Sequence, residues 1–207
     1  KLVGQKLIQL TRRSKYILAQ FEQDTMLWHL GMSGSFRICD EHDELRKHDH
    51  FILQLDYVQL RYHDPRRFGC ILWLDEYSQS KLIDTLGPET LSEAFHADYL
   101  FNRFKTKNTA IKVAMMDNHI VVGVGNIYAT ESLFNLGIHP AQPASSLTFQ
   151  QVEKMVIEIK RILKQAIDLG GSTLRDYSNA MGENGYFQQT LLAYGRAGEM
   201  CVNCETT

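Results

Sequence analysis

The sequence predicts an α+β protein of two domains, β structure first and helices second. Three observations carry that expectation. Short apolar or alternating runs separated by polar and Gly/Asp breaks fill the first 75 residues. The period then changes to helical after Gly87-Pro88, a strong break signal. Finally, Val152, Met155, Val156, Ile159, Ile162, Leu163 and Ala166 form one continuous helical stripe.

The strands are expected at Leu2–Leu10, Tyr16–Phe21, Thr25–Leu30, Phe51–Leu55, Val58–Tyr62 and Cys70–Leu74. Val58, Leu60 and Tyr62 alternate with Gln59 and Arg61, which suits a half-buried strand. Asp56-Tyr57 is short enough for a hairpin turn, and Asp40–His50 reads as a charged loop. Several antiparallel strands with short connections imply a sandwich or a barrel. Residues 81–92 read as a connector. Helices are expected at Ser92–Phe104 and around Ile111, Ala114 and Met115. Two more are expected at Ile127–Leu136 and Thr148–Leu169. Asn126 is placed to cap the third and Gly137 to end it, with Pro140 beyond. Thr148 and Gln151 form a capping-box pattern, and Gly170-Gly171 ends the last helix. Residues 172–190 are rich in polar turn clusters and read as a surface loop. No internal repeat or low-complexity segment is visible.

The bulk numbers bound the function. A chain of 207 residues with 44% hydrophobic content can bury one large or two small cores. The net charge of −2 leaves any polyanion binding to local patches. The four cysteines, Cys39, Cys70, Cys201 and Cys204, do not form a secreted disulfide framework. No apolar run approaches the roughly 20 residues of a membrane span, and no signal peptide is visible. The expectation is a cytoplasmic protein without a membrane partner.

Several stretches carry candidate chemistry, each beside a plain structural reading. Gly123-Val124-Gly125 opens onto a helix N-terminus, where unpaired amides and the dipole favour an anion. Read alone, Asn108–Pro140 is a capped helical hairpin. It lacks the third glycine of a dinucleotide fingerprint and the Gly-Lys-Ser/Thr of a P-loop. His29-Leu30-Gly31-Met32-Ser33-Gly34 reads as a strand running into a Gly-flanked turn, with Met32 projecting into whatever lies opposite or, on the plainer reading that is favoured, in the core. Asp64-Pro65-Arg66-Arg67-Phe68-Gly69 is either a solvated arginine pair beside a buried Phe, or guanidiniums and an apolar tip set against phosphate and bases. Arg12-Arg13-Ser14-Lys15 and the Lys105, Lys107, Lys112 set are small basic clusters. His48-Asp49-His50 sets two imidazoles on one strand but lacks a third metal ligand nearby. Cys201-Val202-Asn203-Cys204 supplies two of four zinc ligands. It is read as half of a zinc ribbon, against a redox dithiol or two ordinary cysteines. A ribbon needs a second pair about 15–20 residues on.

Together these pieces resemble the formamidopyrimidine-DNA glycosylases. The matching segments are Arg12–Tyr16, His29–Gly34, Lys47–His50, Asp64–Gly69, Leu86–Glu89, Met116–Tyr128, Gly185–Phe187, Tyr194–Arg196 and Cys201-x-x-Cys204. The resemblance implies an N-terminal antiparallel β-sandwich over 1–86 and a helix–two-turn–helix domain over 87–190. A truncated β-hairpin zinc finger follows over 191–207, and DNA lies in the cleft between the domains. It implies a monomeric, bacterial, nucleoid-associated enzyme that removes 8-oxoguanine and formamidopyrimidines and cleaves abasic sites by β,δ-elimination. Lys15 is then the catalytic lysine, a proton donor near the deoxyribose. Met32, Arg66 and Phe68 fill the gap left by the flipped base, with Arg66 facing the orphaned cytosine. His29, His48, Lys107, Lys112 and Asn126 contact phosphates. Thr173–Tyr186, including Tyr177, closes over the everted base, and Cys201 and Cys204 hold one structural Zn2+.

The family's nucleophile is an N-terminal proline followed by a glutamate, and neither stands at the start of this sequence. The zinc-finger arginine and the second cysteine pair are absent too. The 207 residues are therefore expected to bind duplex DNA weakly, with salt-dependent affinity, and not to cleave it. An endonuclease VIII type, acting on oxidised pyrimidines, is the alternative enzyme. It typically lacks the Met/Arg/Phe set and the long capping loop.

Overall fold

The computed structural model describes residues 2–74, 82–171 and 186–206. The chain divides into two compact units, one of Lys1–Ile83 with Gly170–Gln188 and one of Asp84–Leu169 with Gln189–Thr207.

The first unit is a sandwich of two antiparallel sheets. Strands β1 (Leu7–Arg13), β2 (Tyr16–Phe21), β3 (Thr25–His29) and β7 (Cys70–Leu74) form one sheet in the order β1-β2-β3-β7. Strands β4 (Ser35–Cys39), β5 (Asp49–Gln54) and β6 (Gln59–His63) form the other, in the order β4-β6-β5. Period-2 alternation sends Ile17, Ala19, Phe21, Met26, Trp28, Ile71 and Trp73 inward from the first sheet. Phe36, Phe51, Leu53 and Leu60 meet them from the second. Trp28 and Phe36 pack at 4.7 Å between ring centroids, and Phe36 packs on Tyr62 at 5.2 Å.

The strand pattern departs from expectation in three places. The first strand begins at Leu7, not Leu2, because Gly4 takes a left-handed conformation (φ 84°) and the chain turns before it. Strand β4 lies where no strand is expected, since Ser35 and Arg37 interrupt its apolar pattern. Arg61 does not face outward: it is 1% exposed. Its guanidinium donates to Gln59 Oε1, Glu44 O and Asp40 O at 2.9, 3.0 and 3.1 Å. Backbone acceptors let the charge be buried, and in return it ties down the charged loop 40–48.

The second unit holds helices α1 (Ala97–Phe104), α2 (Ile111–Met115), α3 (Asn126–Leu136) and α4 (Phe149–Asp168). Helix α4 has the expected stripe, and Val152, Met155, Ile159 and Leu163 pack with Phe95, Leu100, Phe104, Ile111, Met115 and Leu133. Its start is a complete capping box: Gln151 N–H donates to Thr148 Oγ1 at 3.3 Å, and Thr148 N–H donates to Gln151 Oε1 at 2.9 Å. Helix α1 begins five residues later than Ser92. Residues 92–96 form turns that drive Phe95 into the core, and His96 then caps the helix by accepting Tyr99 N–H. Gly137 ends α3 in the left-handed conformation at φ 64°, as its position implies. The connector straps the α2–α3 turn, through Gly87 N–H to Asn118 O at 2.8 Å and Val122 N–H to Pro88 O at 3.1 Å. Among the described residues, no helix is long and apolar enough to cross a membrane.

Candidate functional site

The topology of the sandwich gathers its candidate residues at one end. Tyr16 pairs with His29, and His29 pairs with Cys70. The β1–β2 turn, the end of β3 and the start of β7 therefore lie side by side. In the other sheet Ser35 and Asp49 both pair with His63, so the start of β4, the start of β5 and the end of β6 also coincide.

Lys15 is exposed in the β1–β2 turn, beside Ser14 at φ 55°. The Tyr16 ring packs on His29 at 5.4 Å. His29 Nδ1 accepts Gly31 N–H at 3.2 Å, which leaves Nε2 to carry the proton of the neutral ring. Burial, and then the charge of Lys15, lowers the His29 pKa. This corner thus offers an ammonium and a neutral N–H donor together.

Two loops leave the same end. Met32 is 68% exposed, not in the core, and Phe68 is 57% exposed. The Arg66 guanidinium lies 4.8 Å from the Phe68 ring centroid. Arg67 is held left-handed at φ 57°, and its N–H donates to Asp64 O at 3.3 Å. The glycines explain why the large side chains point outward. A Cβ on Gly31 would lie 2.6 Å from Gly69 N, and one on Gly69 would lie 2.6 Å from His29 O and 1.7 Å from the Tyr62 hydroxyl. The two loop backbones touch, so there is no room for Met32 or Phe68 beneath them.

His48, His50 and His63 form a cluster, with His48 lying 6.0 Å from His50 and 5.9 Å from His63. His63 is thus a third imidazole near the His48/His50 pair that local spacing did not reveal. Asp49, in their midst, is already engaged by Arg37 at 2.7 Å, His63 at 3.0 Å and Arg46 N–H at 3.0 Å. Burial alone would raise its pKa, but those hydrogen bonds and the Arg37 charge hold it below the usual carboxylate range. Among the described residues no group of three or more His, Cys, Asp or Glu is arranged to hold a metal.

In the helical unit, Gly125 and not Asn126 is the N-cap of α3, and the helix opens without a side-chain cap or an acidic residue in its first turn. Asn126 is exposed at the first helical position. Lys107 approaches Asp117 at 3.8 Å. Lys112 instead lines a cavity of about 510 Å3 with Thr130, Phe134, His139, Cys201 and Cys204. Cys201 N–H donates to Thr206 O at 2.8 Å, and Glu205 N–H donates to Cys201 O at 2.9 Å, closing a knuckle around the two sulfurs. The Thr206 hydroxyl and amide, then Cys201, lower the Cys204 thiol pKa. That donor set fits half of a tetrahedral thiolate site. Of the three residues expected in a loop over the everted base, Tyr186 is exposed, while Thr173 and Tyr177 lie outside the described residues.

Two buried carboxylates are structural discoveries. Asp64 is 1% exposed and sits under the two loops. Glu131 of α3 is 3% exposed and accepts three consecutive amides: Leu192 at 2.8 Å, Ala193 at 3.0 Å and Tyr194 at 2.7 Å. The only local signal for Glu131 was a lone acid in an otherwise uncharged helix.

Comparison with known proteins bears directly on this arrangement. Residues 1–71 match the formamidopyrimidine-DNA glycosylase N-terminal domain, and residues 86–178 match the H2TH domain of the same glycosylases. A formamidopyrimidine-DNA glycosylase of Acinetobacter baumannii (strain SDF) is 79% identical over 207 residues, covering all of this chain and 76% of that protein. Its counterpart in Acinetobacter baylyi is 75% identical over the same shares. The crystal structure of MutM (Fpg) from Thermus thermophilus superposes with a TM-score of 0.89 at 36% identity, over 98% of this chain and 76% of that one. Lactococcus lactis Fpg in complex with abasic-site DNA gives 0.89 at 32% identity, over 100% of this chain and 77% of that one.

Proposed function

Since the chain belongs to the formamidopyrimidine-DNA glycosylase family, we propose that the full-length protein of which these residues are part excises oxidised purines, 8-oxoguanine and formamidopyrimidines, from duplex DNA and cleaves the resulting abasic site as a lyase. The observation that carries this reading is the convergence of Lys15, His29, Met32, Arg66 and Phe68 at one end of the sandwich. A base inside the stack is out of reach, so it must be flipped at a cost of a few kcal/mol. Exposed Met32 and Phe68 suit the emptied stack, and Arg66, stacked on Phe68, suits the orphaned base. His29 Nε2–H, His48, Lys107, Lys112, Asn126 and the uncapped start of α3 are the proposed phosphate contacts that offset the flipping cost. Lys15 donates protons during elimination. The covalent step belongs to the family's proline amine, which displaces the base at C1′ and leaves a Schiff base for elimination.

One structural Zn2+ is proposed at Cys201 and Cys204, completed by further ligands, where it would brace the knuckle. The Thr206 contact with Cys204 Sγ at 3.0 Å favours the thiolate that zinc requires.

The test is borohydride trapping of the protein as the cell makes it on an 8-oxoguanine·cytosine duplex, run beside a thymine glycol duplex. A covalent adduct with preference for oxoguanine is expected. No adduct overturns the lyase assignment, and a thymine glycol preference transfers the protein to the oxidised-pyrimidine type.

A further inference from the structure

We infer that Asp64 is a positioning residue that locks the Met32 loop and the Arg66–Phe68 loop into a single inserting body. The inference rests on the reading of those side chains as a base-stack wedge.

Each loop offers its wedge residues on a short excursion from the sandwich, and nothing in the sequence ties one to the other. Asp64 does so from below. Its Oδ1 accepts the Ser33 hydroxyl at 3.3 Å, from the Met32 loop. Its Oδ2 accepts Gly69 N–H at 2.8 Å, closing its own loop, and the Tyr62 hydroxyl at 3.1 Å, from β6. The Asp64 backbone is fixed as well: its N–H donates to His48 O at 3.0 Å, and its carbonyl accepts His50 Nε2 at 3.1 Å. A buried carboxylate with this many donors is fully satisfied, and each neighbour it holds belongs to a different part of the loop end.

The packing above it fits the same role. A Cβ on Gly34 would lie 2.7 Å from the Tyr62 hydroxyl, so that phenol fills the floor under both loops. Gly31 abuts the Phe68–Gly69 peptide directly. Burial alone would raise the Asp64 pKa, but Gly69, Tyr62, Ser33 and Arg66 together keep it below the carboxylate range. Burial and the Asp64 charge raise that of Tyr62, so the phenol stays a donor.

Insertion of a wedge must overcome base stacking. Two loops ordered separately would each lose conformational freedom on insertion, whereas two loops already joined lose it once, at folding. Met32 and Phe68 should therefore act as a unit, and their substitution effects should not be independent.

The test uses a double-mutant cycle in the full-length protein. The readout is stopped-flow fluorescence of 2-aminopurine beside a stable abasic analogue in a duplex. M32A, F68A and the double variant are compared in three backgrounds: unaltered, D64N and S33A. The last removes only the hydroxyl that crosses between loops, so it keeps the question open if D64N does not fold. In the unaltered background the double variant is expected to insert no more slowly than the worse single variant, a coupling of about tenfold. In D64N and S33A the two effects are expected to multiply. Independent effects in the unaltered protein, or coupling that survives in S33A and in any folded D64N, overturn the inference. If M32A and F68A leave the fluorescence change intact, the wedge reading itself fails, which is a separate outcome.

Discussion

Replacing Glu131 should release the segment that follows Thr190 from the helical unit. The carboxylate is 3% exposed and divides its work unevenly: Oε1 accepts Ala193 and Tyr194, and Oε2 accepts Leu192. Hydrogen bonds to a charged acceptor contribute about 1.5–3 kcal/mol each. The three do not add, because freed amides recover water once the segment lifts. A loss near 3 kcal/mol is expected for Glu131→Ala, or about 100-fold faster amide exchange at 192–194. Glu131→Gln separates geometry from charge. Its carbonyl can keep the two bonds of Oε1, but its NH2 then meets Leu192 N–H, donor against donor. Exchange should rise most at Leu192 and least at Tyr194. Hydrogen–deuterium exchange with residue resolution reads this directly. Unchanged protection at 192–194 in the Ala variant, or a loss spread evenly through α3 and α4, would refute the reasoning.

Three further outcomes are expected. Gly69→Ala places a methyl against His29 O and the Tyr62 hydroxyl, so the loops must separate; denaturant unfolding should show about 1–3 kcal/mol lost, with weaker binding to abasic-site duplex. Asp49 and Asp64 both have folded pKa values below their unfolded ones. Their contribution is therefore complete above about pH 4 and is lost as pH falls through the folded values, so D49N and D64N should each flatten the acid limb of a pH–stability curve. Thr148→Ala removes the hydroxyl of the α4 capping box and should cost about 1 kcal/mol in thermal or urea unfolding, without altering duplex affinity.

Much of the fold was legible because it follows from local periodicity. Met26 and Trp28 of β3, and Ile71 and Trp73 of β7, share the sandwich face because side chains alternate along a strand, and the stripe from Val152 to Ala166 recurs as a helix face must. The Thr148/Gln151 pair marks a helix start by chemistry within four residues. The failures share the opposite character. Strand β4 has a weak pattern because Ile38 faces solvent and Arg37 answers to Asp49, twelve residues away. Ser92–His96 looks helical from Phe95, yet Phe95 is buried by a turn. Asn126 has good capping chemistry, but Gly125 takes the position.

The site divides along the same line. Arg66 and Phe68 admit a ligand-facing reading from residue type alone, as guanidiniums beside an aromatic pinned between Pro65 and Gly69, but their exposure is not legible locally. The residues that hold those side chains outward are chosen for partners elsewhere in the chain. Asp64 reaches Ser33 across 31 positions, and Glu131 reaches Leu192 across 61. No local window contains both ends of either bond. Met32 shows the consequence most clearly. A methionine between glycines reads as core because its own hydrophobicity is the only local information. What turns it out is the contact of Gly31 with the Phe68–Gly69 peptide, a fact about another loop. On the proposed reading, a Met, a Phe and an Arg presented together above a satisfied buried network match an opened base stack, which would cover their apolar surface and meet the guanidinium.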